Sequence, residues 1–203
     1  PMYPWQRQIY DSTNRTNLLT AANQIGKSSA MIRRVIANCT DPTRWPSLWG
    51  KGAVPKQFWY FYPDSMTSER EVDMKWIPEW LPRGEYEKHP QYGWKLTRRN
   101  GSYHSCSFNA GPTIYFQMYT KKVSNIQAGT VHEIFVDEEL PMELYDEIMF
   151  RLTATAGIFT MGFTPTLNQL FWKQTMESNK HLPSALKLTI SMYDCLKYED
   201  GSP

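Results

Sequence analysis

Apolar residues in this chain fall in short runs that stop at proline, glycine or charge, and these runs alternate with stretches of helical spacing. Leu18-Leu19-Thr20-Ala21 predicts a strand, followed by a Gly-Lys-Ser turn and a helix carrying Ala30, Met31, Val35 and Ile36 on one side. Gln57 to Tyr62 (QFWYFY) predicts a second strand, stopped by Pro63-Asp64. Ser68 to Trp80 predicts a helix, with Val72, Trp76 and Trp80 spaced by four. Residues 82–112, rich in Gly, Pro, Arg and Tyr, predict loops and a hairpin. Thr113 to Tyr119 and Ile134 to Val136 predict further strands, and Pro141 suits the first turn of a helix running to about Arg151. Ile158 to Phe163 is a buried strand ended by Thr164-Pro165, and Leu186 to Met192 predicts the last strand. Strands alternating with helices, without internal repeat or low-complexity tract, predict an α/β fold with a mostly parallel sheet flanked by helices.

Composition narrows the function without naming it. The 203 residues suffice for one sizeable domain, and 41% hydrophobic with 21% charged residues is ordinary for a chain with a real core. A net charge of +2 excludes a uniformly basic nucleic-acid surface but permits a local basic patch, with Arg98-Arg99 and Lys121-Lys122 as candidates. Three widely spaced cysteines, Cys39, Cys106 and Cys195, form no CxxC pair and suggest neither zinc nor a disulfide framework. The four histidines, His89, His104, His132 and His181, have no ligand spacing. No apolar run approaches the ~20 residues that span a bilayer. The first residue is Pro1 and the last five form a turn-like sequence, so the chain reads as a segment of a longer protein.

Chemistry enters at Ala21-Ala22-Asn23-Gln24-Ile25-Gly26-Lys27-Ser28, which matches GxxxxGK[ST] apart from alanine at the first glycine. A phosphate loop needs backbone N–H groups turned inward at a helix N-terminus, where the dipole favours anions. Gly26 allows close approach, Lys27 brings charge to the β- and γ-phosphates, and the Ser28 hydroxyl is the candidate Mg²⁺ ligand. Asn23, Gln24 and Ile25 complete the candidate nucleotide-binding loop. The tripeptide alone is weak evidence; its place between an apolar strand and an amphipathic helix gives it force.

About 110 residues beyond Lys27, the apolar strand Ile134-Phe135-Val136 ends in Asp137-Glu138. In P-loop motors such a pair divides the work, the Asp holding Mg²⁺ and the Glu polarising the attacking water. Asp137 is the candidate metal ligand and Glu138, with Lys27, the candidate catalytic residue; Glu139 is one position away. Two rival readings are a solvated acidic turn and a two-metal nuclease site made by Glu133, Asp137, Glu138 and Glu139. Together the loop and the acidic strand end predict a P-loop NTPase of the RecA-like ASCE type.

Upstream lies Tyr3-Pro4-Trp5-Gln6-Arg7, in which a glutamine amide can pair with the N6/N7 edge of adenine. In combination these pieces resemble the large terminase subunit of tailed bacteriophages. That family opens its motor with Tyr-x-x-Gln-Arg, as in Tyr3 to Arg7. A divergent phosphate loop ending Gln-x-Gly-Lys-Ser/Thr follows, as in Gln24 to Ser28. After the acidic strand comes a coupling strand ending in Thr-Pro with an Asn before aromatics, as in Gly162 to Trp172 with Asn168.

The resemblance implies the N-terminal ATPase domain, spanning residues 1–203, of a longer terminase large subunit. That subunit would hydrolyse ATP with Mg²⁺ to drive double-stranded DNA into a procapsid. Thr164 would be the coupling residue. Expected partners are DNA, the portal protein, the terminase small subunit and copies of the chain in a ring, with the isolated domain monomeric and no membrane association. The setting would be the host cytoplasm and, transiently, the portal vertex. About 38 residues follow Pro165, too few for the family's C-terminal nuclease domain, so no DNA cleavage is expected.

The pattern departs from the family in its arginines. Asn23 stands where many members carry a phosphate-loop arginine, and Ile126-Gln127-Ala128-Gly129 replaces an Ile-Arg-Gly-like segment. Arg151 is the substitute candidate for an arginine finger, with Arg98 and Arg99 as others. Rival functions are a superfamily 2-like helicase fragment, which would need a second RecA-like domain, and a catalytically weak nucleotide-binding assembly module.

Overall fold

In a computed structural model the described residues are 1–119, 129–165, 170–177 and 184–202. The apolar runs pair as one eight-stranded sheet: β1 (Thr16–Ala21), β2 (Gln57–Tyr62), β3 (Trp94–Arg99), β4 (Ser102–Phe108), β5 (Thr113–Met118), β6 (Glu133–Asp137), β7 (Ile158–Phe163) and β8 (Leu186–Ile190). Their order across the sheet is β3-β4-β5-β2-β6-β7-β1-β8. All pairings from β5 to β8 are parallel, and only β3-β4 and β4-β5 are antiparallel. The expected mostly parallel sheet flanked by helices is the one that forms.

The helices are α1 (Pro4–Asp11), α2 (Lys27–Thr40), α3 (Trp45–Trp49), α4 (Ser65–Glu71), α5 (Met142–Thr153) and α6 (Leu170–Glu177). A parallel sheet covered on both faces needs strands that are apolar on both sides, and β2 shows the division. Phe58, Tyr60 and Tyr62 face a core shared with Met31, Val35 and Cys39 of α2, while Trp59 and Phe61 face the core containing Leu144, Ile148 and Leu152 of α5. A third cluster joins Trp5 and Ile9 of α1 to Leu19, Ala30 and Ile190. No helix among the described residues is long and apolar enough to cross a membrane.

The segment expected as one helix from Ser68 to Trp80 is built differently. Asp64 caps α4, its side chain accepting from the Thr67 N–H at 2.7 Å, and α4 passes at Val72 into nine residues of π-helix ending at Trp80. The Leu81 N–H donates to the Trp76 carbonyl, five residues back, at 2.7 Å. Four-residue spacing of Val72, Trp76 and Trp80 suits a wide turn better than the mixed threes and fours of an α-helix. Val72 and Trp76 are fully buried, and Trp80 packs partly buried beside them.

Other departures are smaller. The last strand stops at Ile190, because the Asp194 carboxylate accepts from the Ser191 N–H and hydroxyl and closes a 3₁₀ turn over Met192–Cys195. Pro141 caps α5 rather than entering its first turn. The expected hairpin is β3-β4, turned at Asn100-Gly101, both with positive φ as a tight hairpin demands.

One polar network ties the layers together. Arg34 of α2 and Glu133 of β6 are both fully buried, with Arg34 Nε 2.8 Å from Glu133 Oε1. Asn38 donates to the other carboxylate oxygen at 2.7 Å, and the Thr160 hydroxyl to the first at 3.3 Å. Arg34 also donates to the carbonyls of Ile9 and Ser12, so it fixes the end of α1 against α2 and the sheet.

Candidate active site

Parallel register alone brings the sequence motifs to one rim. Strands β2, β6, β7 and β1 lie side by side, with Phe61 opposite Val136, Asp137 opposite Gly162, and Phe163 opposite Thr20. Their carboxyl ends therefore present Tyr62, Asp137, Thr164 and the loop after Ala21 along one edge, the usual place for ligands in open α/β sheets. Gly162 permits close packing here: a Cβ at that position would lie 3.1 Å from Met31 Cε and 3.6 Å from Lys27 Cβ.

The phosphate loop has the curled backbone its role requires. Gln24 (φ 64°) and Gly26 (φ 91°) are left-handed, and α2 begins at Lys27. Ala21 is an ordinary β1 residue paired with Ile190, so the missing first glycine costs the loop nothing. Ile25 packs on the cluster beneath α1 and β8. The Lys27 ammonium donates to the carbonyls of Ala21 and Ala22 (3.1 and 2.8 Å) and to Thr164 Oγ1 (3.1 Å). The Thr164 hydroxyl in turn donates to Asn23 Oδ1 at 2.7 Å. Burial pulls the Lys27 pKa down, opposed by the charges of Glu138 and Asp137.

Ser28 Oγ donates to Asp137 Oδ1 at 3.0 Å, and the Tyr60 hydroxyl to Oδ2 at 3.4 Å. Burial pushes the Asp137 carboxyl up to about 7; the Ser28 hydrogen bond works against this, and Glu138 adds to it. Glu138 is exposed and turns left-handed (φ 78°), a conformation that costs a non-glycine residue about 1–3 kcal/mol. It is held there because its N–H donates to the Gly162 carbonyl (2.9 Å), while the Tyr119 hydroxyl donates to the carbonyls of Asp137 (2.7 Å) and Glu138 (3.2 Å). The kink aims Glu138 into the cavity. Glu139 is not among the cavity-lining residues.

The cavity, of about 650 Å³, is lined on one side by Asn23, Gln24, Gly26, Lys27, Ser28 and Ser29, with Asp137 and Glu138 between. Its far wall is Tyr62, Pro63, Thr67, Arg70, Glu71 and Lys75, four of which the sequence reading did not single out. Thr67, Arg70, Glu71 and Lys75 recur at helical spacing on the face beside Ser68, Val72 and Trp76, a signal that was present but looks like a solvated helix face. Lys75 Nζ pairs with Glu71 Oε2 at 2.6 Å.

Gln6 stands at the back of the loop. Its Oε1 accepts from the Tyr3 N–H (3.0 Å) and its Nε2 donates to the Gly26 carbonyl (3.4 Å), while the Tyr3 ring stacks on Tyr198 at 4.5 Å. Arg151 is not brought to the cavity. It closes the last turn of α5, which runs back to the opposite rim, and pairs with Glu147 at 2.7 Å. Arg98 lies over the Tyr103 ring and pairs with Glu69. The nuclease alternative fails on geometry, because Glu133 begins β6, is committed to Arg34, and lies a strand length from Asp137. Lys121, Lys122, Ile126 to Ala128, Asn168 and His181 lie outside the described residues.

The donor set fits Mg²⁺. Among the described residues no group of three or more His, Cys, Asp and Glu is placed to hold a metal by itself. A cation at Ser28 and Asp137 would complete its shell with water and substrate oxygens, which is how Mg²⁺ prefers to bind. A buried carboxylate whose hydrogen-bond partners among the described residues are hydroxyls is the right complement for it.

No protein-family model and no curated protein sequence matches this chain. Solved structures do. The large terminase of a thermophilic bacteriophage superposes with a TM-score of 0.69 at 13% identity, covering 99% of this chain and 48% of that one. The same terminase in complex with ATP-gamma-S gives 0.66 at 13%, covering 97% and 46%. The large terminase ATPase domain of Thermus phage P74-26 gives 0.60 at 14%, covering 94% and 81%. This chain thus spans about half the length of the first of these proteins. With its strand order, its phosphate loop and its acidic strand end on one rim, the chain has the fold of the phage large-terminase ATPase domain.

Proposed function

We propose that this chain is the ATPase domain of a phage terminase large subunit, hydrolysing ATP to move double-stranded DNA into a procapsid. The observation that carries the reading is convergence: Lys27, Ser28, Asp137 and Glu138, drawn from two motifs about 110 residues apart, line one cavity. The large terminase of the thermophilic bacteriophage, similar in fold, has been solved with ATP-gamma-S and with ADP.

Ser28 and Asp137 would hold Mg²⁺, which when bound neutralises phosphate charge. Backbone N–H groups at the start of α2 would meet the β-phosphate. Lys27 would exchange its present carbonyl partners for phosphate oxygens; no carboxylate anchors it, so the exchange breaks no ion pair. Glu138 would accept a proton from the attacking water as its oxygen bonds to the γ-phosphorus and the bond to the bridging oxygen breaks, releasing ADP and phosphate. Gln6 would meet adenine with the hydrogen and lone pair its present contacts leave over. Thr164 would couple hydrolysis to movement, because it bonds Lys27 directly and loses that partner when the ammonium turns to phosphate. The motor would work as a ring of copies at the portal vertex in the host cytoplasm, with the portal protein, the small subunit and a nuclease domain elsewhere in the large subunit.

Lys27→Ala tests the reading. Mg²⁺-dependent ATP turnover by the wild-type chain, measured as phosphate release with DNA present, is expected to fall at least 100-fold in the variant. Equal turnover by the two proteins, or none by the wild type, would remove the assignment.

A further inference from the structure

The proposed chemistry leaves a charge unassigned. Transferring a phosphoryl group commonly draws on an arginine at the γ-phosphate, and the phosphate loop has Asn23 instead of one. All arginines of this chain fall within the described residues, and Arg70 alone lines the cavity.

Arg34 is committed to Glu133, Arg44 to Asn38, Arg7 to Glu199, Arg98 to Glu69 and Arg151 to Glu147. Arg70 is exposed and makes no hydrogen bond or ion pair among the described residues. Among the described residues Arg83 and Arg99 likewise make no side-chain hydrogen bond or ion pair, but they do not line the cavity, and the remaining arginines are bonded elsewhere. Capping by Asp64 and the buried Ser68, Val72 and Trp76 fix the helix that carries Arg70, so its base is rigid, while its guanidinium feels the Asp64 carboxylate only at a distance, without a bond among the described residues. The cavity is lined by three cations, Lys27, Arg70 and Lys75, and three acids, Glu71, Asp137 and Glu138. Glu71 already offsets Lys75. Lys27 and Arg70 are left to face an incoming polyanion from opposite walls.

We propose that Arg70 is the guanidinium that engages the γ-phosphate, acting within its own chain from the helix opposite the phosphate loop. This rests on the nucleotide-site reading above. A planar fork can bind two phosphate oxygens at once and stays charged at any working pH. Placed across from Lys27, it closes the phosphate between two walls, a role that neither Asn23 nor Arg151 fills in this fold.

The test compares affinities for Mg²⁺-ATPγS and Mg²⁺-ADP by calorimetry in wild type, Arg70→Ala, Arg70→Lys and Lys27→Ala. Arg70→Ala is expected to weaken ATPγS at least tenfold while shifting ADP less than threefold, with little change in melting temperature because Arg70 makes no hydrogen bond or ion pair among the described residues. Arg70→Lys should fall between, keeping the charge without the fork. An ATPγS-to-ADP ratio in Arg70→Ala equal to wild type, or equal weakening of both nucleotides, overturns the assignment. Wild type binding neither nucleotide, or Lys27→Ala binding both normally, places the failure in the nucleotide-site reading and removes the Arg70 role with it.

Discussion

Glu133→Ala is expected to destabilise the chain by about 3–5 kcal/mol, the range for breaking a buried ion pair from one side. The pair has no access to water on either side chain, so the variant leaves the Arg34 guanidinium charged and dry. A domain's whole stability is typically about 5–15 kcal/mol, so much of it would be lost, and poor solubility is a second expected sign. Arg34 also holds the carbonyls of Ile9 and Ser12, so the loss loosens α1 and with it Gln6 behind the phosphate loop. Urea unfolding measures the change. A midpoint matching wild type would mean that the network contributes little.

Glu138→Gln is expected to lower ATP turnover by roughly 10²–10⁴-fold, the usual contribution of a general base, while ATP affinity stays within about threefold. Glutamine keeps the size and the left-handed backbone and removes only the ability to take a proton. The backbone bonds from Gly162 and Tyr119 remain, so melting should not change. Phosphate release under saturating ATP, with binding measured on the same sample, separates the two effects. Turnover within a fewfold of wild type would move the base elsewhere, with Glu139 the neighbour to examine.

The phosphate loop and the acidic strand end were legible because their chemistry is local: a few consecutive residues specify each, and a parallel sheet has one rim where both can emerge. β2 was legible as a strand, but QFWYFY is apolar at every aromatic position, so the pattern could not say that Tyr60 and Tyr62 face one core and Trp59 and Phe61 the other. That division depends on which helices cover the sheet. The π-helix was written in the spacing of Val72, Trp76 and Trp80, yet such helices are rare and an α-helix is the natural first reading.

What the sequence hid was pairing at long range. Glu133 looked like one more acid near Asp137, whereas a partner 99 residues away in α2 gives it a structural role. Arg70 falls in no sequence motif, and only the fold shows that its face of α4 looks across at the phosphate loop. Arg151 lies away from this cavity for the converse reason: it follows the acidic strand closely in sequence, but a helix of twelve residues carries it to the other end of the sheet.

The claim on which the rest depends is that Ser28 and Asp137 form one Mg²⁺ site beside the phosphates held by Lys27. Affinity for ATPγS with Mg²⁺ and with EDTA, in wild type, Ser28→Ala and Asp137→Asn, measures it directly. Mg²⁺ is expected to tighten binding to wild type at least tenfold and to give neither variant that gain. Binding to wild type that ignores Mg²⁺, or a gain that survives in both variants, would contradict it.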